Sequence, residues 1–312
     1  MSYVQDINAA LRARIKTSRR LVVYGQNIIA GSCLSGLTRG IEAGPGGLVL
    51  NTPNVENTLI GAGFGLMLKG CNAVYFMKQQ DFLLLGMDHL VNTWNIIRQT
   101  NPAASFTIVA IVVDSGFEGP QSSLNNFSDF CSLAHVQGWA VTDHETAERT
   151  IDRHLISPGF RIIGVSQRLF GKEMPRAPNA VSESAGGDVL RYATGDEATI
   201  VAFNFSFPEA LALHGTLGGK GISASLFSLP AILPSGWGDI LADIGRTKRL
   251  IVIDDGKGEN RTSDRLMLDV LRLYPNTAVN PIRRIFSVDG LCPNPDRLEV
   301  PLNDILRDLS GY

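Results

Sequence analysis

The sequence predicts an α/β protein with two doubly wound domains, each with a mostly parallel sheet between layers of helices. Apolar, β-branched runs alternate with helical patterns along the chain, as expected of repeated strand–helix–strand units. The strand candidates read as continuous apolar runs, which are typical of parallel strands buried on both faces. A polar stretch at 171–195, rich in Gly, Pro, Ala and Ser, interrupts this alternation and has the composition of a linker.

The first half of the chain is expected to form one domain, over residues 1–175. Its predicted strands are 20–24, 47–50, 73–76, 106–113, 139–141 and 161–165. Its predicted helices are 3–16, about 54–69, about 82–98, 126–137 and 144–155. Strands that alternate with helices favour parallel pairing, because each crossover between parallel strands needs a long connection.

The second half repeats the same pattern after a predicted linker at 176–195, and is expected to form a second domain over 196–312. Its predicted strands are 198–203, 222–228, 249–254 and 283–287. Its predicted helices are 206–218, 237–245 and 260–273. A chain of 312 residues is long enough for two α/β domains of ordinary size.

The composition excludes several classes of protein. A formal net charge of −2, from 28 basic and 30 acidic residues, argues against nucleic acid or an anionic membrane as a partner. The four cysteines form no C-x-x-C pair and the five histidines lack metal-ligand spacing, so no metal site is predicted in this chain. With no run of about 18 apolar residues and no apolar signal core, the protein is expected to be cytoplasmic.

The most informative segment is Leu50–Gly70, which reads LNTPNVENTLIGAGFGLMLKG. Pro53 is expected at the first helical position, and Glu56 then falls in the first turn, where the helix dipole favours a carboxylate. Three glycines follow inside this helix, at 61, 63 and 65. Because each costs about 1 kcal/mol relative to Ala, another backbone or a flat ligand is expected to pack close by. The alternative is a buried glycine-rich helix that Glu56 only caps.

The pattern TP-x-x-E-x-x-x-x-G-x-G-x-G-x-x-x-x-G resembles the pyrimidine-binding domain of the thiamine-diphosphate-dependent transketolase and pyruvate dehydrogenase β-subunit group. The similarity continues in the same order through 74–92 and 113–123. From Ala198 through IDDGKGEN to the end, the chain resembles the transketolase C-terminal domain. The resemblance implies a pyrimidine-binding-type first domain and a transketolase-C-type second domain.

The resemblance implies two cofactor-binding residues. In this group a glutamate hydrogen-bonds a ring nitrogen of the cofactor's aminopyrimidine, which helps the thiazolium ring lose its C2 proton. The matching residue is Glu56, and its role needs a carboxyl group in a dry pocket close to that nitrogen. Phe82 matches the aromatic residue that stacks on the aminopyrimidine, with an ordinary core phenylalanine as the alternative.

Further candidates for substrate contact come from the same alignment. Gln26 and Asn27 fall where dehydrogenase β subunits tend to have an acidic pair, although both residue types are also common turn formers. His89 lies within a D-x-x-x-N element made by Asp88 and Asn92, where it either reaches the cofactor region or serves as a structural histidine.

The main departure from the family pattern is at Ser122. Relatives place a histidine after G-P-Q or G-P-T, whereas this chain reads Gly119-Pro120-Gln121-Ser122. Gln121 and Ser122 remain candidates for substrate contact, but serine cannot exchange a proton near neutral pH as histidine can. Lipoyl acylation or ketol transfer in the usual manner is therefore in doubt, unless another chain supplies the acid–base group. Decarboxylation or a carboligation with less proton shuttling is favoured.

The diphosphate half of a thiamine diphosphate site is missing. Relatives bind Mg²⁺ and the diphosphate through a G-D-G motif, and no G-D-G occurs in this sequence. The resemblance therefore implies an α-type partner subunit that carries this motif, with Mg²⁺ held by the partner and the active site between the chains. An α₂β₂ heterotetramer is expected, since closed symmetric oligomers dominate.

The sequence thus predicts the β-type subunit of an enzyme that cleaves a C–C bond of a 2-oxo acid or ketone donor and transfers or releases the acyl or ketol unit. One alternative is the C-terminal half of a split transketolase acting on sugar phosphates, for which Arg168 is the one basic candidate. Another is a non-catalytic scaffold or regulatory paralogue. Ser122 favours the scaffold, whereas the retention of Glu56 and Phe82 opposes it.

Overall fold

The computed structural model describes residues 1–114, 125–285 and 297–310, which form two sheets flanked by helices. The strands of the first sheet are β1 (Leu21–Gly25), β2 (Leu48–Asn51), β3 (Asn72–Met77), β4 (Ser105–Val112), β5 (Gln137–Val141) and β6 (Gly159–Ser166). Its helices are α1 (Tyr3–Thr17), α2 (Glu56–Leu68), α3 (Trp94–Ile97), α4 (Phe127–Ala134) and α5 (His144–His154). The strands lie in the order β2-β1-β3-β4-β6-β5, and all the pairs are parallel.

The second sheet contains β7 (Ser182–Glu183), β8 (Leu190–Ala193), β9 (Ala198–Phe203), β10 (Ala224–Leu229), β11 (Arg249–Asp254), β12 (Ala278–Ile285) and β13 (Arg297–Leu298). Its helices are α6 (Phe207–Gly219), α7 (Gly238–Thr247), α8 (Thr262–Leu273) and α9 (Leu302–Ser310). The order is β13-β12-β11-β9-β10-β8-β7, with β12, β11, β9 and β10 parallel and the outer strands antiparallel. The predicted α/β class with doubly wound sheets is confirmed.

The buried residues of the first sheet divide between its two faces with the strand period of two. Tyr75 and Met77 of β3 face the layer that contains α2, whereas Val74 and Phe76 face the layer that contains α1 and α5. Both layers are almost wholly apolar, which explains why the strands read as continuous apolar runs in the sequence.

Two helix predictions need correction. The helix predicted to begin at Pro53 begins at Glu56, because the Thr52 N–H still donates to Gly25 O (3.0 Å) and holds the chain at the sheet. The single helix predicted at 82–98 is broken: a 3₁₀ helix at Gln80–Gly86 precedes a π turn and α3. Gly86 packs directly on α2, where an added Cβ would meet the Ile60 side chain at 2.2 Å.

The segment predicted as a linker, 176–195, contains β7 and β8, which extend the second sheet. Strands β7, β8 and β13 and helix α9 were not predicted, because they are short or lie at the sheet edge and the end of the chain. The proposed domain boundaries stay a prediction. In the described part of the chain, no helix is long and apolar enough to cross a membrane.

The two sheets meet through backbone hydrogen bonds as well as side chains. The Ala140 N–H donates to Pro230 O (2.7 Å), and the Ile232 N–H donates to Gly138 O (2.8 Å). These bonds connect the edge strand β5 of the first sheet to the chain that follows β10 of the second. The edge of the first sheet is therefore covered rather than left open to solvent.

Candidate functional site

The first sheet has a topological switch point between β1 and β3. The chain passes from β1 to β2 on one side, and then returns to β3 on the other side of β1. In open α/β sheets ligands bind in the crevice that such a reversal leaves beyond the carboxyl ends of the strands. We call the region beyond the carboxyl ends of β1 and β3 the switch-point crevice. The loops after β1, β2 and β3 carry Gln26, Asn27, Glu56 and Phe82.

Glu56 is the first residue of α2 and follows a tightly held turn. The Asn51 side-chain oxygen accepts from the Ile28 N–H (2.8 Å) and the Ile29 N–H (3.1 Å), which fixes the end of β2 against the loop after β1. The Glu56 side chain is 9% exposed, yet its carboxylate makes no hydrogen bond or ion pair with any residue that the structure describes.

Two stacked tyrosines lie beneath the first turns of α2. Tyr24 of β1 and Tyr75 of β3 are register partners, and their rings stack 5.2 Å apart at 6°. The Tyr24 hydroxyl donates to Leu59 O (2.8 Å), one turn after Glu56. Burial raises the pKa of Tyr75, and the Glu56 carboxylate raises it further. The Glu56 carboxylate therefore lies near enough to the tyrosine pair to act on it electrostatically.

The α2 glycines have a different partner from the one expected. An added Cβ at Gly63 would lie 2.3 Å from the Phe106 ring and 2.6 Å from the Tyr24 hydroxyl, and one at Gly61 would lie 2.8 Å from His89 Nε2. The groups that pack against these two positions are therefore ring side chains. They are neither the backbone nor the flat ligand that was expected. Gly65 faces open space, with nothing described within 4 Å.

Phe82 lies in the 3₁₀ helix after β3, half-buried against the apolar layer that contains α2. The Asn57 side chain donates to Leu85 O (3.3 Å), which ties this helix to the first turn of α2. Sequence reasoning missed Gln80, which is fully buried while both of its amide atoms lack a hydrogen-bond partner in the described ranges. Two adjacent glutamines directly after a buried strand were the available signal.

The other candidates lie in the turn after β1 or along α2. Asn27 is exposed and has a φ of 56°, the left-handed conformation that asparagine tolerates in turns, while Gln26 is half-buried beside it. His89 Nδ1 lies 2.9 Å from Thr93 Oγ1, and its ring packs on the second turn of α2. The structure thus places His89 along α2 rather than at its first residue.

No family model matches the chain. The chain is 24% identical to the mitochondrial pyruvate dehydrogenase E1 component subunit β-1 of Oryza sativa, covering 98% of this chain and 85% of that protein. It is 25% identical to the 2-oxoisovalerate dehydrogenase subunit β of Bacillus subtilis, covering 98% of both. The chain is a homologue of pyruvate dehydrogenase β subunits and related β subunits.

A solved structure agrees with this relationship at the level of the fold. A split-gene transketolase, described as an inactive β₄ tetramer, superposes with a TM-score of 0.71 at 13% identity and covers 100% of this chain and 97% of that one. The resemblance to the thiamine-diphosphate-dependent transketolase and pyruvate dehydrogenase β-subunit group is therefore confirmed.

Gln121 and Ser122 lie outside the described residues, so their contact with substrate stays a prediction. Arg168, the basic candidate for a sugar phosphate, is instead engaged between the two sheets. Its guanidinium donates to Phe205 O (2.9 Å) and pairs with Glu209 and, at 3.5 Å, with Asp255.

The groups around Arg168 are mostly acidic and hold its guanidinium between the two sheets. Burial alone lowers its pKa, but the carboxylates of Asp255, Glu209 and Asp114 raise it by more, so the net shift is upward. A guanidinium held by three carboxylates has little positive field left for a phosphate. The pairing of Arg168 therefore opposes its role as a phosphate contact.

Proposed function

We propose that this chain is the β-type subunit of a two-subunit thiamine-diphosphate-dependent enzyme that acts on a 2-oxo acid or ketone donor. The observation that carries the proposal is Glu56, a nearly buried residue whose carboxylate forms no hydrogen bond or ion pair with the described residues at the switch-point crevice. Homology to β subunits of 2-oxo acid dehydrogenases supports it.

The residues at the crevice fit the aminopyrimidine half of the cofactor. Glu56 offers a carboxyl for a ring nitrogen, and Phe82 offers a half-buried ring on which an aromatic heterocycle stacks. The unpartnered Gln80 amide lies on the same connection, two residues before Phe82. Bound thiamine diphosphate supplies the electron sink for cleavage of a C–C bond next to a carbonyl group. In this proposal Glu56 holds and orients the pyrimidine ring, and Phe82 keeps water from one of its faces.

An α-type partner completes the proposed site by holding the diphosphate and Mg²⁺ through a G-D-G motif. The surface around Glu56 supports a partner there, since four large apolar side chains are 42% to 54% exposed: Ile29, Val55, Leu84 and Leu85. Contiguous exposed apolar side chains mark interaction surfaces. An α₂β₂ heterotetramer with the active site between chains is the assembly proposed.

The donor is proposed to be a 2-oxo acid or a ketone whose acyl or ketol unit is transferred or released. Ser122 in place of histidine favours a reaction with less proton shuttling, or one in which the partner supplies the acid–base group. A sugar-phosphate donor is disfavoured, because its basic candidate, Arg168, is paired with carboxylates between the sheets.

The proposal is tested by mixing this chain with a G-D-G-bearing chain, which is sought first in the neighbouring reading frame. Thiamine diphosphate with Mg²⁺ is expected to bind the mixture and neither chain alone, as measured by calorimetry. Glu56→Gln is expected to abolish turnover with a panel of 2-oxo acids while the complex still assembles. The matched control is Glu42→Gln, at a surface ion pair with Lys16, which keeps full activity.

Two results would contradict the proposal. Tight cofactor binding by this chain alone would remove the two-subunit site. Unchanged turnover in the Glu56→Gln variant would remove the role of Glu56.

A further inference from the structure

Two contacts hold the 3₁₀ helix after β3 on the start of α2. The Asn57 side-chain amide donates to Leu85 O (3.3 Å). At the next residue of the 3₁₀ helix, an added Cβ on Gly86 would overlap the Ile60 side chain, so the Gly86 backbone lies directly on that side chain. Ile60 is fully buried, and a close-packed core leaves such a side chain little room to move. The end of the 3₁₀ helix is therefore docked on the first two turns of α2.

Both contacts lie on the side of α2 that carries Glu56. Ile60 is four residues after Glu56 and three after Asn57, and residues at these spacings are neighbours on a helix surface. The 3₁₀ helix carries Phe82 with it, because Phe82 and Leu85 are one 3₁₀ turn apart, about 6 Å along the axis. The position of Phe82 relative to Glu56 therefore depends on how the end of the 3₁₀ helix is held.

The two contacts restrict different movements of the 3₁₀ helix. The contact between Gly86 and Ile60 sets the closest approach of the two helices, because atoms in contact resist overlap but attract one another only weakly. The Asn57 bond adds a direction, since a hydrogen bond weakens steeply when its angle departs from linear. Because Leu85 and Gly86 are consecutive, the two contacts together limit both the separation and the rotation of the 3₁₀ helix over α2.

We propose that Asn57 is a positioning residue for Phe82: its amide holds the 3₁₀ helix so that the Phe82 ring and the Glu56 carboxyl group face the same pyrimidine ring of the cofactor. This inference rests on the proposed function, and adds to it a residue that sets the width of the pyrimidine site. A site whose two sides are held in advance loses less conformational freedom when the ring binds, so the cofactor binds more tightly.

The experiment is a double-mutant cycle on the complete mixture of chains, read as the dissociation constant of thiamine diphosphate in the presence of Mg²⁺. Asn57→Leu removes the donor with little change of side-chain shape, and leucine is the better helix former of the two. It is expected to weaken binding about threefold to tenfold, the effect of one hydrogen bond. In the Phe82→Ala background the same change is expected to alter the constant less than about twofold, because the ring that it positions is gone. Equal weakening in both backgrounds, or none in either, would overturn the inference.

Thr58→Ala is the matched control, since Thr58 is exposed at the next position of α2. It is expected to leave the dissociation constant of the mixture within about twofold, because the bond from Asn57 to Leu85 is kept. A loss as large as that of Asn57→Leu would overturn the inference, because any change on that surface of α2 would then have the same effect.

Hydrogen exchange of this chain alone gives a measurement that needs no cofactor. Asn57→Leu is expected to speed exchange of the backbone amides in 80–86 about threefold to tenfold, because local opening of the 3₁₀ helix then breaks one hydrogen bond fewer. Thr58→Ala is expected to leave these rates unchanged. Faster exchange in Asn57→Leu, together with a mixture that binds no thiamine diphosphate, would sink the proposed function and leave the docking by Asn57 in place. Unchanged exchange would sink the positioning role of Asn57 alone.

Discussion

At the scale of single residues, the chain is marked by buried polar side chains that lack partners. Gln80 is fully buried with both amide atoms unpartnered among the described residues, and it follows β3 next to the switch point. Native proteins rarely leave such groups unbonded, and those that do occur collect where a ligand or a partner completes the bonding. Gln80 therefore marks the same crevice that Glu56 marks from the connection after β2.

Gln80 gives a direct stability prediction. Replacing it with Met is expected to raise the free energy of unfolding of the chain by about 1 kcal/mol, because an unsatisfied buried amide is removed. Urea denaturation of this chain alone measures the change. The control, Gln99→Met at an exposed position, is expected to have little effect. Destabilisation by Gln80→Met would show that the amide is bonded in the folded chain.

His154 gives a pH prediction. It stacks on Trp139 with ring centroids 3.8 Å apart, and burial, helped by Arg161 and Arg153, lowers its pKa from 6.5 to about 4. Below pH 6.5 His154 therefore binds a proton in the unfolded chain but not in the folded chain. The free energy of unfolding therefore falls as the pH drops toward 4. This residue is expected to lower the free energy of unfolding as the pH falls from 7.5 to 5, by less than the full pKa shift implies because solvent screens a partly exposed imidazole.

The measurement is urea unfolding at both pH values for the unaltered chain and for His154→Asn. The variant is expected to lose less stability on acidification than the unaltered chain does, whatever its stability at neutral pH. His135→Asn, at an exposed position after α4, serves as the control and keeps the original pH dependence. Parallel pH profiles for all three proteins would refute the assignment.

At the scale of elements, α2 shows which contacts a sequence pattern can predict and which it cannot. The glycine spacing predicted a close approach to this helix, and the structure has one at Gly61 and Gly63. The pattern cannot say what approaches, because the Phe106 ring and the His89 ring come from β4 and from the π turn. Contacts between elements far apart in sequence depend on topology, which local periodicity does not encode.

The glycines of α2 allow a matched pair of substitutions. Gly63→Ala is expected to destabilise the chain by about 1 to 3 kcal/mol, since the new Cβ would overlap the Phe106 ring. Gly65→Ala meets nothing described within 4 Å and is expected to stabilise it by up to about 1 kcal/mol through helix propensity. Thermal or urea unfolding distinguishes the two. Equal effects would mean that packing around Gly63 relaxes freely.

At the scale of the whole molecule, strands were predicted well because burial on both faces makes them continuous apolar runs. The first-sheet strands β1, β2 and β6 match their predicted ranges within two residues. The mixed edges of the second sheet were missed, since two-residue strands such as β7 and β13 carry no periodicity. The site followed from an ordered set of motifs, but Gln80 and the Tyr24–Tyr75 pair required the strand order.

The contact between the two sheets depends on a buried ion network. Arg284, fully buried, donates to Asp255 O (3.0 Å) and Asp114 O (2.9 Å), and lies 3.5 Å from the Asp255 carboxylate. Burial raises the pKa of Asp255, although Arg284 and Arg168 oppose that shift. Removing either arginine therefore leaves a buried carboxylate undercompensated.

Adjacent arginines on β12 test this network. Arg284→Met is expected to destabilise the chain by about 3 to 5 kcal/mol, because a buried pair is broken. Arg283→Met removes a partly exposed pair with Asp264 and is expected to cost less than about 1 kcal/mol. Chemical denaturation measures both. Similar losses would show that burial of the network contributes little.

Arg168 reaches the end of β9, beside Asp255 at the end of β11, which is the place where the second sheet has its own reversal of strand order. In a doubly wound sheet this crevice ordinarily binds a small molecule. Here the Arg168 side chain of the same polypeptide occupies it. A chimaera whose second half comes from a distant homologue needs matching charges on both sides of the contact between the sheets. These are Arg168 in the first half and Glu209 and Asp255 in the second. In chimaeras that lack these ion pairs, the two halves are expected to lose their contact with each other.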